Sequence, residues 1–171
     1  MNLGRWRDLK AAHRVRAVGN LLNLSSLLGL AAAGIGRARL SSGPMGLVLA
    51  EGYRFRFPDA GAFTLGNVIV TSGDFESLTA LRPEVMEHED AHAWQYLYCG
   101  GLPFLPLYGL AAAWSWLRTG DPASANVFER TAGLTRGGYH AAPVTNAGFK
   151  KLARRAQTLI EKPSRLAERS R

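Results

Sequence analysis

The sequence predicts one α+β domain, mainly helical, with a small antiparallel sheet preceding a helix at residues 83–99. Three observations lead there. Apolar residues recur at three-to-four spacing through the first forty positions (Leu21, Leu24, Leu28, Ala31 or Ala32, Ile35). Residues 46–72 switch to short alternating or β-branched runs separated by turn residues. No proline or glycine then falls between Pro83 and Gly100, so one uninterrupted helix is available. A chain of 171 residues with 47% hydrophobic content suits a single core, and the whole of 1–171 reads as one domain.

In chain order, residues 1–40 form a basic and apolar helical region that Ser41-Ser42-Gly43-Pro44 breaks. The sheet at 46–72 takes Leu47 to Ala50, the alternating Tyr53-Arg54-Phe55-Arg56-Phe57, a turn at Pro58-Asp59-Ala60-Gly61, and the runs Phe63-Thr64-Leu65 and Val68-Ile69-Val70. Residues 83–140 hold three helices. Pro83 suits the first turn of the first, residues 102–117 are almost wholly apolar, and Asp121-Pro122 offers a cap and first-turn proline for a helix through Ala132. Beyond Gly137-Gly138 the chain reads as irregular. Residues 141–171 form a basic tail in which Phe149 to Ile160 is an amphipathic segment ahead of Pro163.

The formal charge of +8 calls for a negatively charged partner, an anionic membrane surface being one, and says nothing about chemistry. Nucleic acid is not expected, because a half-buried strand accounts for the aromatic-arginine alternation and solvated arms account for the basic ends. One cysteine, Cys99, closes no intrachain disulfide, and a cytoplasmic, membrane-associated protein is the expectation. From Ala17 to Ile35 there is no charge, but Asn20, Asn23, Ser25, Ser26 and several glycines dilute the stretch. A packed or membrane-surface helix is therefore expected there, and likewise at residues 102–117, in preference to a bilayer span.

The chemistry concentrates in His88-Glu89-Asp90-Ala91-His92. Residues four apart on a helix lie above one another, so the His88 and His92 imidazoles converge on one zinc ion at about 2.0–2.1 Å. Glu89 stands beside the ion, where a general base takes a proton from zinc-bound water. A third protein ligand leaves a fourth position open, as catalytic zinc requires, and the later helix offers the carboxylate of Glu129. Cys99 lies roughly 10 Å along the axis from His92, too far to share the ion, and reads as a core residue. Gln95, one turn past His92, is placed to hydrogen-bond near the metal, and Asn126, one turn before Glu129, to orient it. Tyr108, Tyr139 and His140 are candidate oxyanion donors, and Asp90 reads as solvated.

These residues resemble the gluzincin class of zinc peptidases, in which H-E-x-x-H is joined by a glutamate on a following helix. More closely, His88-Glu89 through His92-Ala93-Trp94-Gln95-Tyr96, Gly101 to Tyr108, Gly120-Asp121-Pro122, and Asn126-Val127-Phe128-Glu129-Arg130 look like a family of small bacterial proteins, many actinobacterial. The similarity runs through about residues 20–140, including Thr64-Leu65-Gly66-Asn67-Val68. It implies a minimal zincin-like core with His88, His92 and Glu129 as the ligands of one zinc ion, and it brings no substrate. The function expected is a zinc-dependent metallohydrolase of the peptidase type acting on a peptide or protein. Its rival is a non-catalytic membrane-surface or protein-interaction module that keeps the metal site for folding.

Overall fold

The structure is a computed structural model that describes residues 9–55 and 61–168, with side chains through residue 159. It is α+β and predominantly helical. In order it contains α1 (Ala11–Leu22), α2 (Ser25–Ile35), β1 (Arg39–Ser42), a 3-10 turn at Pro44–Gly46, β2 (Val48–Glu51), β3 (Phe63–Leu65), β4 (Val68–Val70), α3 (Phe75–Leu81), α4 (Val85–Tyr98), α5 (Phe104–Thr119), α6 (Val127–Ala132) and α7 (Ala147–Glu168).

The four strands run β1-β2-β4-β3. The sheet is mixed, not antiparallel throughout: β1 and β3 pair antiparallel with β2 and β4, but β2 pairs parallel with β4, Leu49 opposite Ile69. β3 runs opposite to β4, so β4 lies in the direction of β2. The β3–β4 hairpin closes on Gly66-Asn67, with Gly66 at φ +62, the conformation that the first central position of a II′ turn requires. A side chain at Gly66 would also strike the Ser26 backbone nitrogen at 2.3 Å.

Alternation along β4 divides the core. Val68 and Val70 join Ala33 and Ala50 on the face that α2 covers, whereas Ile69 joins Leu47, Phe75 and Ala93 beneath α4. Thr64 is opposite Ile69 in the ladder and therefore points to the α4 face, which places its hydroxyl against the metal-motif helix. Tyr53 to Phe55 are not strand, contrary to the alternation: the Tyr53 amide donates to the Thr71 carbonyl and the Arg54 amide to that of Gly36, and Arg56 to Ala60, which include most of the expected turn, lie outside the described residues.

Other boundaries shift for local reasons. The first forty residues make two helices, bent by 73° at Asn23-Leu24, and then enter β1. Pro83 sits in a turn before α4, and Glu84 is the residue that precedes its first turn. Asp121 caps a tight turn through Ala123 and Ser124 amides instead of a helix, and Asn126 caps α6 through the Phe128 amide. The basic tail is helical through Pro163 to Glu168.

The polarity of α1 and α2 is inverted relative to a core helix. Arg16 and Asn20 of α1 are fully buried, while Val15, Val18 and Leu22 face outward. Ser25, Ser26, Gly29 and Ala33 of α2 are buried, and its leucine stripe, Leu24, Leu27, Leu28 and Ile35, is exposed. Close approach explains the choice in α2: a Cβ at Gly29 would lie 2.5 Å from the Leu65 carbonyl, so only small residues fit against the sheet. In α1 the buried polar groups are engaged. Arg16 forms an ion pair with Asp90 and donates to the Met45 carbonyl at 2.6 Å, and Asn20 donates to Asn67 and to the Ala93 carbonyl. Asp90 is therefore a structural anion, not a solvated one.

Breaking a buried pair from one side leaves an uncompensated charge. Asp90→Ala should cost about 3–5 kcal/mol in urea unfolding, whereas Arg16→Met combined with Asp90→Leu should recover most of that loss.

Candidate metal centre

The centre is assembled from α4, α6 and the loop after α6. His88, His92 and Glu129 are all buried, and their ligand atoms lie within 4.8 Å of one another. The His88 and His92 Nε2 atoms are 3.1 Å apart, with the rings at 89°. Glu129 Oε2 is 3.3 Å from His88 Nε2, and Oε1 is 3.6 Å from His92 Nε2. Atoms bound at about 2.0–2.1 Å to one tetrahedral ion sit roughly 3.3 Å apart, so the donor set could hold one metal ion with little movement.

The outward nitrogens are already committed. His92 Nδ1 is 2.8 Å from Gln95 Oε1, and His88 Nδ1 is 3.0 Å from the Gly133 carbonyl. Both partners are acceptors, since Gln95 is oriented by its Nε2 donating to the Phe128 carbonyl and to Thr131 Oγ1. Each Nδ1 must therefore carry hydrogen, and each Nε2 turns a lone pair into the site. Glu129 Oε1 accepts from Tyr108 at 2.5 Å, while Oε2 has no hydrogen-bond donor among the described residues despite complete burial. Two lone pairs and an orphaned carboxylate oxygen facing one point, with no donor between them, fit a cation.

Without a metal, a proton relieves the same crowding. Burial opposes charge on His88, but its contact with Glu129 and the carboxylate charges of Glu129 and Glu89 outweigh it and hold the imidazole above its ordinary value. Burial likewise opposes charge on Glu129, but the two imidazoles and the Tyr108 hydrogen bond hold the carboxyl below its ordinary value. These are one ion pair seen from two ends.

Glu89 is buried beside the ligands and accepts from Thr64 Oγ1 at 2.6 Å, so one carboxylate oxygen is anchored to β3. Gly137 packs against His88, and a Cβ there would come within 2.6 Å of the ring. A cavity of about 420 Å³ lies over the centre, lined by His88, Glu89, His92 and Glu129 and walled by Phe63, Thr64 and Leu65 of β3 and by Phe104, Leu105 and Tyr108 of α5. Tyr139 reaches the same cavity, and burial pushes its phenol up to about 12.

Among the residues expected from sequence, Gln95 supports His92, and Tyr108 holds Glu129 in addition to facing the cavity. Asn126 does not orient Glu129: its Oδ1 caps α6, and its buried Nδ2 has no partner among the described residues. His140 is exposed and outside the cavity lining; only its carbonyl is engaged, accepting from Ser124. Cys99 is half-buried, with a free thiol, just past the end of α4. Thr64, Gly133 and Gly137 also act at the site; Thr64 falls in the Thr64-to-Val68 run of the resemblance, but local sequence gives none of the three a role, because each acts through a fold contact with α4.

In chelator-treated protein, an NMR titration should find His88 still protonated above pH 6.5, and Glu129→Gln should lower its pKa. The raised histidine contributes stability below 6.5 that is lost as pH rises through its folded pKa; the depressed Glu129 contributes above 4.5 and loses it as pH falls. The pair should thus stabilise the metal-free fold most between about pH 4.5 and 6.5.

Compared with protein-family models, with curated proteins and with solved structures, the chain matches none.

Proposed function

We propose that the protein is a zinc-dependent hydrolase of the peptidase type with a minimal gluzincin-like centre. The observation that carries this reading is the convergence of His88 Nε2, His92 Nε2 and the donorless Glu129 Oε2 beside the Glu89 carboxylate, under an accessible cavity. His88, His92 and Glu129 would hold the ion, and Gln95 and the Gly133 carbonyl orient the two imidazoles from behind. Zinc bound there supplies Lewis acidity, lowering the pKa of water and polarising a carbonyl.

The remaining work falls to the chain. Glu89, with one oxygen pinned by Thr64, presents the other to water in the cavity, takes its proton as that water attacks the scissile carbonyl carbon, and delivers it to the departing amine nitrogen. Charge developing on the carbonyl oxygen needs a donor. Tyr139 lines the cavity, no hydrogen bond of its hydroxyl occurs among the described residues, and the phenol stays protonated through the neutral range, which supports that role. Tyr108 is spent on Glu129, which it keeps oriented.

A peptide is the favoured substrate because β3 is the sheet's terminal strand and its residues wall the cavity. No described strand pairs with the outer edge of β3, and an extended chain laid along it would gain backbone hydrogen bonds and pass its carbonyls over the centre.

The purified protein should carry one zinc per chain, measured by mass spectrometry of metals without chelator; absence of stoichiometric binding after zinc addition overturns the reading. Glu89→Gln should keep the zinc and lose about 10²–10⁴-fold in kcat on a peptide library, and Tyr139→Phe about 10²-fold with KM little changed. Gln95→Leu should weaken zinc affinity by about 10–100-fold in a competitive-chelator titration.

A further inference from the structure

Three helices present apolar side chains where a soluble surface presents charge. On α1 the outward row is Val15, Val18 and Leu22, and on α2 it is Leu24, Leu27, Leu28 and Ile35. On α5, Leu107, Leu110 and Trp114 stand out, and no charged residue occurs before Arg118. Leu22, Ile35 and Leu110 are 75%, 71% and 69% exposed, so these side chains are presented rather than partly covered. The rows adjoin. Gly101, just before α5, is packed on Asn23 at the α1–α2 bend closely enough that a Cβ would lie 2.6 Å from it.

This face also borders the metal centre. Ala32 of α2 and Leu105 of α5 line the cavity, and Leu105 still keeps 41% of its surface exposed. The cavity edge therefore reaches the two helices that carry the apolar rows.

Cations stand at the ends of these helices, although Arg39 is paired across the sheet with Glu51. Lys10 stands at the start of α1, Arg37 and Arg39 follow α2, and Arg118 ends α5, its guanidinium 5.6 Å from the Trp114 ring. Lys151, on the α7 helix packed against α5, sits 5.9 Å from the Trp116 ring. An apolar patch edged by cations and carrying tryptophans near its charged margin matches the boundary between acyl chains and anionic headgroups. A second copy of this chain would bring the same positive rim against itself.

Depth follows from helix length. Among the described residues no single helix is long and apolar enough to cross a membrane; the α1–α2 pair passes on length and composition, and it is bent by 73°. At 1.5 Å per residue, α1 extends about 18 Å against a hydrocarbon core of about 30 Å. Neither α1 nor α2 alone reaches across that core, which suits contact with a bilayer surface.

From these observations we infer that α1, α2 and α5 form a docking face for an anionic lipid bilayer, onto which the cavity over the metal centre opens. Docking stands on the surface alone. Its consequence for substrate, that the hydrolysed peptide is one lying at the membrane surface, rests on the hydrolase reading above.

The full-length protein should co-sediment with phosphatidylcholine vesicles containing phosphatidylglycerol, and weakly with phosphatidylcholine alone. The triple variant Leu22→Gln, Ile35→Gln, Leu110→Gln, with unchanged circular dichroism, should bind at least about tenfold more weakly. Brominated acyl chains should quench tryptophan fluorescence on binding, and Trp114→Phe should remove a large share of that quenching. The inference is overturned if the wild type ignores anionic vesicles, if the triple variant binds as well as the wild type, or if it instead converts a lipid-indifferent dimer to monomer. Glu89→Gln should bind vesicles like the wild type, and the triple variant should keep its zinc, so a failure of docking and a failure of the metal reading give different results.

Discussion

The structure turns on a small volume in which two imidazole lone pairs and one carboxylate oxygen meet with no hydrogen between them. Such an arrangement is costly unless a cation occupies it, and the surrounding contacts work to maintain it. Gln95 and the Gly133 carbonyl take up both Nδ1 hydrogens, and Tyr108 takes one oxygen of Glu129. What is left faces inward. A proton shared between His88 and Glu129 is the internal remedy, and a metal ion is the external one.

Much of the fold reads as support for that point. The hairpin turn at Gly66-Asn67 places Thr64 on the α4 face, where it anchors Glu89. Arg16 reaches across from α1 to Asp90, the residue after Glu89, and Asn20 ties Asn67 of the same hairpin to the Ala93 carbonyl of α4. The helix that carries the ligands is thus held from the sheet side and from α1 by buried polar contacts. Such contacts are directional, so they determine the rotation of α4 about its axis, which apolar packing alone would leave loose.

Those same polar ties turn α1 inside out. Once Arg16 and Asn20 are inside, the helical period carries Val15, Val18 and Leu22 outside; α2 reaches the same result by presenting glycine and small residues to the sheet. The result is a broad apolar exterior beside the cavity, larger than isolated surface leucines would account for.

The sequence by itself determined the parts governed by short-range periodicity: helix over the α2, α4 and α5 stretches, the strand runs of β3 and β4, and the pairing of His88 with His92, because a separation of four residues on a helix needs no tertiary information. Gln95 was readable for the same reason. Tertiary structure alone decided whatever depends on two elements meeting. It set the parallel pairing of β2 with β4, the inward turn of Arg16 toward Asp90, the reassignment of Asn126 from Glu129 to the α6 cap, the placement of Tyr139 rather than His140 at the cavity, and which side of the leucine-bearing helices faces out. Periodicity shows that a helix has two faces; only the partner's shape and charge settle which one is buried, and here glycine contacts and buried ion pairs outweighed hydrophobicity.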